Sequence, residues 1–233
     1  KWRNRIGEAG CEWLLSMTIQ AGVATKAVNP NDFQSVTVDS TVQEKADFIA
    51  YLRSIPNLTI MAPKDEAELV DMLHTALTID GPVALRYPRG AGFGIDVPEI
   101  GGRLAVGKAE ALTAGERGAL VGYGYGAHVA IQAAELIGER TGISPTVVNA
   151  RFCKPIDATL MRQLAAEHEL VVTLEDHAEM AGFGSAVLES LQDVDARVLT
   201  CGMPDRFIDH GKRDLLLAEA GLSPDEVARR VMA

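Results

Sequence analysis

Cysteine is scarce in this sequence. Cys11, Cys153 and Cys201 are the three in 233 residues, and they stand far apart with no CxxC pair. That excludes a disulfide framework and suits reduced thiols in a cytoplasm-like compartment. No apolar run is long enough to span a bilayer, and the opening "KWRNRIGEAG" has no secretory core segment. Basic residues are outnumbered, with 22 Lys and Arg against 32 Asp and Glu and a net charge of −10. That balance argues against nucleic acid, whose phosphates need clustered cations. Aromatics make up only 5% of the chain. The expectation is a cytoplasmic protein with neither nucleic-acid nor membrane partners. Because its first residue is not methionine, a fragment or a processed chain is expected.

What is present is apolar residue, 47% of the chain, with abundant alanine and glycine that suit close α/β packing. The length allows one large domain or two ordinary ones. Strand and helix patterns alternate. "CEWLLSMTIQAGVAT" has helical character, "QSVTVDS" alternates as a strand, and "LTIMAP" is a short strand stopped by Pro63. The segment 64–80 has Leu69, Met72, Leu73 and Leu77 at helical spacing, which predicts an amphipathic helix buried along that stripe. Its acidic first turn suits the positive end of the helix dipole. "PVALRYP" follows as a strand. A glycine-rich stretch without helical period reads as a linker. Beyond it come the strands "GALVGYG", "PTVVNARF", "LVVTLED" and "ARVLTCGMP", separated by helices, and a helical tail capped at "SPDE". This order predicts two doubly wound α/β domains with mostly parallel sheets.

Some motifs are ambiguous. "GYGYGAHVA" fits G-x-G-x-x-A, but no acid ends the next strand as a dinucleotide site requires, so a tight strand-to-helix turn is the better reading. Glu175, Asp176, His177 and Glu179 cluster beyond a strand end. Adjacent carboxylates and an imidazole need special loop geometry to converge on one metal, so a hydrogen-bonded loop at an interface or site rim is favoured. "GFGSAV" is not a serine-hydrolase elbow. His74, His128, His168 and His210 read as solvated or capping residues without partners. The sharpest feature is "PVALRYPRG", where a core strand ends in Arg86 and Arg89. Arginine offers a planar fork for phosphate, and ligands of parallel sheets sit beyond strand carboxyl ends. Surface salt bridges explain the pair equally well.

The long segment from "AYLRSIPNLTIMAPKDEAEL" to "ALRYPRG" resembles the end of the pyrimidine-binding domain of the 1-deoxy-D-xylulose-5-phosphate synthase family. "VVNARFCKPID", "LVVTLEDHAEMAGFGSAVLESL" and "GMPDRFIDHGKRDLLLAEAGL" resemble that family's carboxyl-terminal domain, in the same order. The resemblance implies a thiamine-diphosphate- and Mg²⁺-dependent condensation of pyruvate with glyceraldehyde 3-phosphate, with loss of CO₂. It implies a glutamate on the cofactor's aminopyrimidine ring, matched best by Glu12, with Glu8 as the other candidate. It also implies substrate binding by Arg86, Tyr87 and Arg89, with Arg86 on the aldehyde's phosphate.

Departures are equally specific. The histidine expected beside the glutamate is absent, a βα unit is missing, and residues 31–50 align with two different family segments. No GDG motif with a downstream asparagine occurs, so the protein residues that hold Mg²⁺ and the diphosphate are lacking. The expected organisation is a truncated pyrimidine-type domain over residues 1–97, a linker over 98–107 and a transketolase-type carboxyl-terminal domain over 108–233. Alone, such a chain is expected to bind cofactor poorly and to be inactive. Three roles stay open: a homodimer or a half that works with a separate diphosphate-binding chain, as β-type subunits of 2-oxo-acid dehydrogenases do; a non-catalytic scaffold; and a piece of a full synthase.

Overall fold

The computed structural model describes residues 48–88, 92–206, 208, 211 and 213–233. The helix expected at 11–25, the strand at 34–40, Cys11 and His210 lie outside them. Helix α1 (Phe48–Arg53) leads into strand β1 (Thr59–Met61), helix α2 (Glu66–Ala76) and strand β2 (Val83–Leu85). After an extended stretch come β3 (Glu110–Thr113), β4 (Gly118–Tyr123), α3 (Gly126–Thr141), β5 (Thr146–Asn149) and β6 (Phe152–Lys154). The chain closes with α4 (Ala158–Glu167), β7 (Leu170–Ala178), α5 (Phe183–Ser190), β8 (Val198–Met203), α6 (Arg213–Glu219) and α7 (Pro224–Met232).

Local chemistry sets the helix limits. Asp65 caps α2 by accepting from Glu68 N at 2.8 Å, and Asp157 caps α4 through Leu160 N. Ser223 caps α7, with Pro224 in its first turn, as the "SPDE" reading expects. Helix α3 ends on Gly142 in the left-handed region, where glycine alone carries no side-chain penalty.

The strands form two sheets. The smaller runs β2-β1-β6, with β1 and β2 parallel and β6 antiparallel. The larger runs β3-β5-β4-β7-β8, parallel except for the edge strand β3. Its central strand β4 is buried throughout, as expected of a strand covered on both faces. One face packs Tyr123, Val171 and Val148 against Met161 and Leu164 of α4 and Phe183 and Val187 of α5. The other packs Leu120, Val172 and Leu174 against α3 and against Leu217, Val227 and Ala228 of the carboxyl-terminal helices.

Three expectations need correction. "PTVVNARF" is two strands: Arg151 takes φ 58° and carries the chain from the large sheet into the small one. Of the acidic cluster only Glu179 lies beyond the strand, because β7 continues to Ala178 and takes in Glu175, Asp176 and His177. The buried face of α2 is Glu68, Met72 and Thr75, rotated from the predicted leucine stripe. Polar groups occupy that face because they are satisfied there. Thr75 Oγ1 donates to Asp71 O and accepts from Leu104 N at 2.8 Å, while Glu68 sits in a cluster of donors.

The glycine-rich stretch lies along α2. Glu66 accepts from Gly94 N, Asp71 from Gly102 N, and His74 meets Gly101 O. Phe93 stacks on His128 with ring centroids 3.6 Å apart.

Candidate functional site

The carboxyl ends of β2, β4 and β7 meet at one place. In the large sheet, the loop from β4 leads to a helix on one face and the loop from β7 to a helix on the other. Such a switch point opens a crevice where doubly wound sheets hold ligands. Arg86, from the end of β2, meets this switch point through Asp176 and Gly124. Its backbone N donates to Met61 O at 2.8 Å, so the main chain is fixed by the small sheet. Its guanidinium is fixed by the large one: Nη1 donates to Asp176 Oδ1, and Nη2 makes a longer 3.4 Å contact with Asp176 O.

The β4–α3 turn runs beneath this pair. A Cβ on Gly122 would fall 2.3 Å from Ala127 N, and Gly124 has φ +58°. The G-x-G-x-x-A pattern is thus a tight turn, and it brings Gly124 against Ala62 and Arg86.

Along β7, neighbouring side chains have different surroundings. Glu175, 3% exposed, accepts from Phe183 N at 2.7 Å and Gly184 N at 2.8 Å, at the start of α5. Burial pushes its carboxyl up to about 7, against the pull of those two bonds. Burial opposes ionisation of Asp176, but the charge and hydrogen bond of Arg86, with His177 and a backbone hydrogen bond, together outweigh it and hold that carboxyl below its usual value. His177 is driven down to about 3 by burial and by Arg86. Its Nε2 and the Tyr123 hydroxyl, both buried, have no hydrogen-bond partner among the described residues. Tyr123 stacks on Phe183 at 5.1 Å. Glu179 accepts from Thr200, and no three ligating side chains among the described residues converge as a metal site would require.

A second polar cluster joins the two sheets near the start of α2. Glu68, 2% exposed, accepts from Lys64 N at 2.7 Å, Lys64 Nζ at 3.3 Å, Asn149 Nδ2 at 2.8 Å and Arg151 Nε at 2.7 Å. Glu110 pairs with Lys64 at 3.2 Å and with Arg151 Nη2 at 2.9 Å. Burial works against both charges, yet the ion pairs hold Lys64 above its ordinary value and Glu110 below. A third junction is made by Arg53, which donates to Ala181 O, Gly182 O and Glu189.

Among the residues singled out from sequence, Arg86 is half-buried at the crevice and Tyr87 is 50% exposed beside it. Glu12, Glu8 and Arg89 lie outside the described residues. The expected histidine isolation needs correction: His128 Nε2 bonds Lys64 O at 2.7 Å, and His168 meets Thr146 and Leu164 O. Sequence reasoning missed Asp176 as the partner of Arg86, and it missed Glu68. Two arginines ending one strand and an "EDHAE" run ending another were the available signal, but 90 residues separate the paired positions.

Thiamine diphosphate with Mg²⁺, which the resemblance implies, does not fit the described residues. A hard divalent ion and a diphosphate need converging oxygen ligands and several donors. The crevice instead offers one paired arginine and a neutral imidazole.

Comparison with known proteins agrees with this architecture. The transketolase pyrimidine-binding domain matches residues 34–93, and the transketolase C-terminal domain matches residues 107–227. The 1-deoxy-D-xylulose-5-phosphate synthase of Synechococcus elongatus is 48% identical over 187 residues, 79% of this chain and 29% of that protein. The Crocosphaera subtropica enzyme of the same name is 50% identical over 78% of this chain and 29% of its own. The chain thus spans under a third of the curated relatives it matches. Among solved structures, a split-gene transketolase described as an inactive β4 tetramer superposes with TM-score 0.71 at 31% identity, covering 79% of this chain and 59% of that one. Transketolase from Campylobacter jejuni shares the fold, with TM-score 0.61 at 18% identity over 81% of this chain and 28% of its own. With more than half its length matched by the C-terminal domain model, the chain belongs to the transketolase family, and over 79% of its length it is homologous to 1-deoxy-D-xylulose-5-phosphate synthase.

Proposed function

We propose that this chain supplies the pyrimidine-side and carboxyl-terminal parts of a 1-deoxy-D-xylulose-5-phosphate synthase, the enzyme that condenses pyruvate with glyceraldehyde 3-phosphate and releases CO₂. The observation that carries the proposal is the placement of Arg86. It is pinned by backbone to the small sheet and by guanidinium to the large one, at the carboxyl end of a parallel strand. An arginine so placed suits the phosphate of the aldehyde, with exposed Tyr87 at the rim. Arg89 and Glu12 complete the proposed set, Glu12 as the carboxylate facing the cofactor. The Mg²⁺ and diphosphate contacts fall to another polypeptide segment or chain.

The split-gene relative favours one arrangement in particular. Its β chains assemble with one another and are inactive, which is the behaviour expected of a half that needs a complementary chain. On this reading the protein is cytoplasmic and works in an assembly, with residues 1–97 and 108–233 as its two units.

The test combines the purified chain with a separately produced diphosphate-binding domain of a relative, thiamine diphosphate and Mg²⁺. The expected outcome is formation of 1-deoxy-D-xylulose 5-phosphate by the mixture alone. Arg86→Ala should then weaken use of the phosphorylated aldehyde by about 1.5–3 kcal/mol, the value of a charge-assisted contact, and leave pyruvate nearly untouched. Equal losses for both substrates would remove the phosphate role, and a mixture without product would favour the scaffold reading.

A further inference from the structure

Arginine carries five N–H donors in a rigid fork, and what it recognises depends on which of them are already committed. Arg86 has its main chain fixed by β1 and one edge of its fork fixed by Asp176, whose carboxylate takes Nη1 and whose carbonyl is within 3.4 Å of Nη2. Both partners are largely buried, with side-chain exposures of 17% for Arg86 and 10% for Asp176. The remaining donors of the fork have no acceptor among the described residues. Beside the pair, the buried His177 Nε2 and Tyr123 hydroxyl lack partners among the described residues, so hydrogen-bonding capacity around it is unfilled. Gly124 lies close by: a Cβ there would be in ordinary contact with Nη1 at 3.8 Å and crowded against Ala62 Cβ at 3.0 Å.

We infer that Asp176, in the carboxyl-terminal unit, is a positioning residue for the phosphate-binding arginine of the first unit. It holds one edge of the Arg86 fork so that the other faces a phosphoryl group. The inference rests on the phosphate role given to Arg86 above. It also gives the carboxyl-terminal unit a part in substrate recognition without contact to the substrate: the selectivity of Arg86 is set across the interface between the two units.

The test uses the full chain with ¹⁵N-labelled arginine and inorganic phosphate as the probe. In the wild type, the Arg86 side-chain N–H signals should be sharp and should shift on phosphate addition. Asp176→Ala should broaden those signals and weaken the phosphate response about tenfold, the equivalent of one charge-assisted bond. Asp176→Asn preserves shape and both oxygen contacts while losing charge. It should fall between the two, and it keeps the test decisive where the alanine variant folds poorly. A merely structural Asp176 would leave the phosphate response of the asparagine variant unchanged, and that result overturns the positioning role alone. A wild-type chain whose Arg86 signals ignore phosphate overturns the phosphate reading itself, and this inference with it.

Discussion

Two carboxylates join the same pair of sheets, and their surroundings differ in one respect. Glu68 is saturated: Lys64, Asn149 and Arg151 all donate to it, and Glu110 takes the remaining charge of the two cations. Among the described residues Asp176 pairs with one cation, Arg86, whose Nε has no acceptor among them. A carboxylate that already accepts from Lys64, Asn149 and Arg151 has little left to offer a ligand, so its value is structural. A pair with unused donors, flanked by orphaned polar atoms, can still recognise something. Degree of saturation, more than burial or charge, separates the hinge of the fold from its candidate site.

The most direct way to break this comparison is to remove each carboxylate–cation contact in turn. Glu68→Ala leaves the Lys64 N–H without its acceptor and Asn149 with only a 3.4 Å contact to Glu110, in a buried setting, a loss of about 3–5 kcal/mol for breaking a buried ion pair. Chemical denaturation should show the midpoint falling accordingly, and an unfolding midpoint close to wild type would mean the cluster contributes no net stability. Arg86→Ala removes one partner of a single pair, and Asp176 can take up a proton to relieve its isolation. The expected stability loss is smaller, about 1–3 kcal/mol for an unsatisfied group. If Arg86→Ala destabilised the chain as much as Glu68→Ala, the distinction between the two junctions would collapse.

How far the sequence could anticipate this depends on distance along the chain. The alternation of strand and helix, the Ser223 cap and the tight turn at Gly122–Ala127 are local, and local patterns carried them. The doubly wound class follows from them. What escaped detection is non-local. Arg151 turns one apparent strand into two because its backbone adopts a left-handed conformation that no neighbouring residue announces. Glu68 reads as a first-turn acid suited to the helix dipole, and only the approach of Asn149 and Arg151, 81 and 83 residues away, makes it a core residue. The same approach turned the buried face of α2 away from its leucines. Strand β3 is a half-exposed edge of four residues, too short and mixed to stand out. At the candidate site, Arg86 was visible as the charged end of a core strand, whereas Asp176 could not be chosen among its acidic neighbours without the fold.

The smallest expected effect is the most discriminating, because it separates side chains two residues apart. Glu175 is raised from 4.5 to about 7. Between those values the folded chain keeps a proton that the unfolded chain has lost, so this group makes stability fall as pH rises, and the loss is complete above about 7. His177 is lowered from 6.5 to about 3. Its contribution is complete above 6.5 and is lost as pH falls toward 3, because only the unfolded chain takes up the proton. From pH 4.5 to 6.5 the slopes oppose each other, each near 1.4 kcal/mol per pH unit at most, and the wild type should show little net dependence from this pair. Glu175→Gln should expose the rising slope of His177, and His177→Asn the falling slope of Glu175. Denaturation midpoints across that range decide the matter: two variants as flat as the wild type would mean neither group is perturbed as its burial requires. Opposite slopes would show that the unsaturated end of β7 stores two opposed protonation demands, where the Glu68 cluster has resolved its charges by pairing.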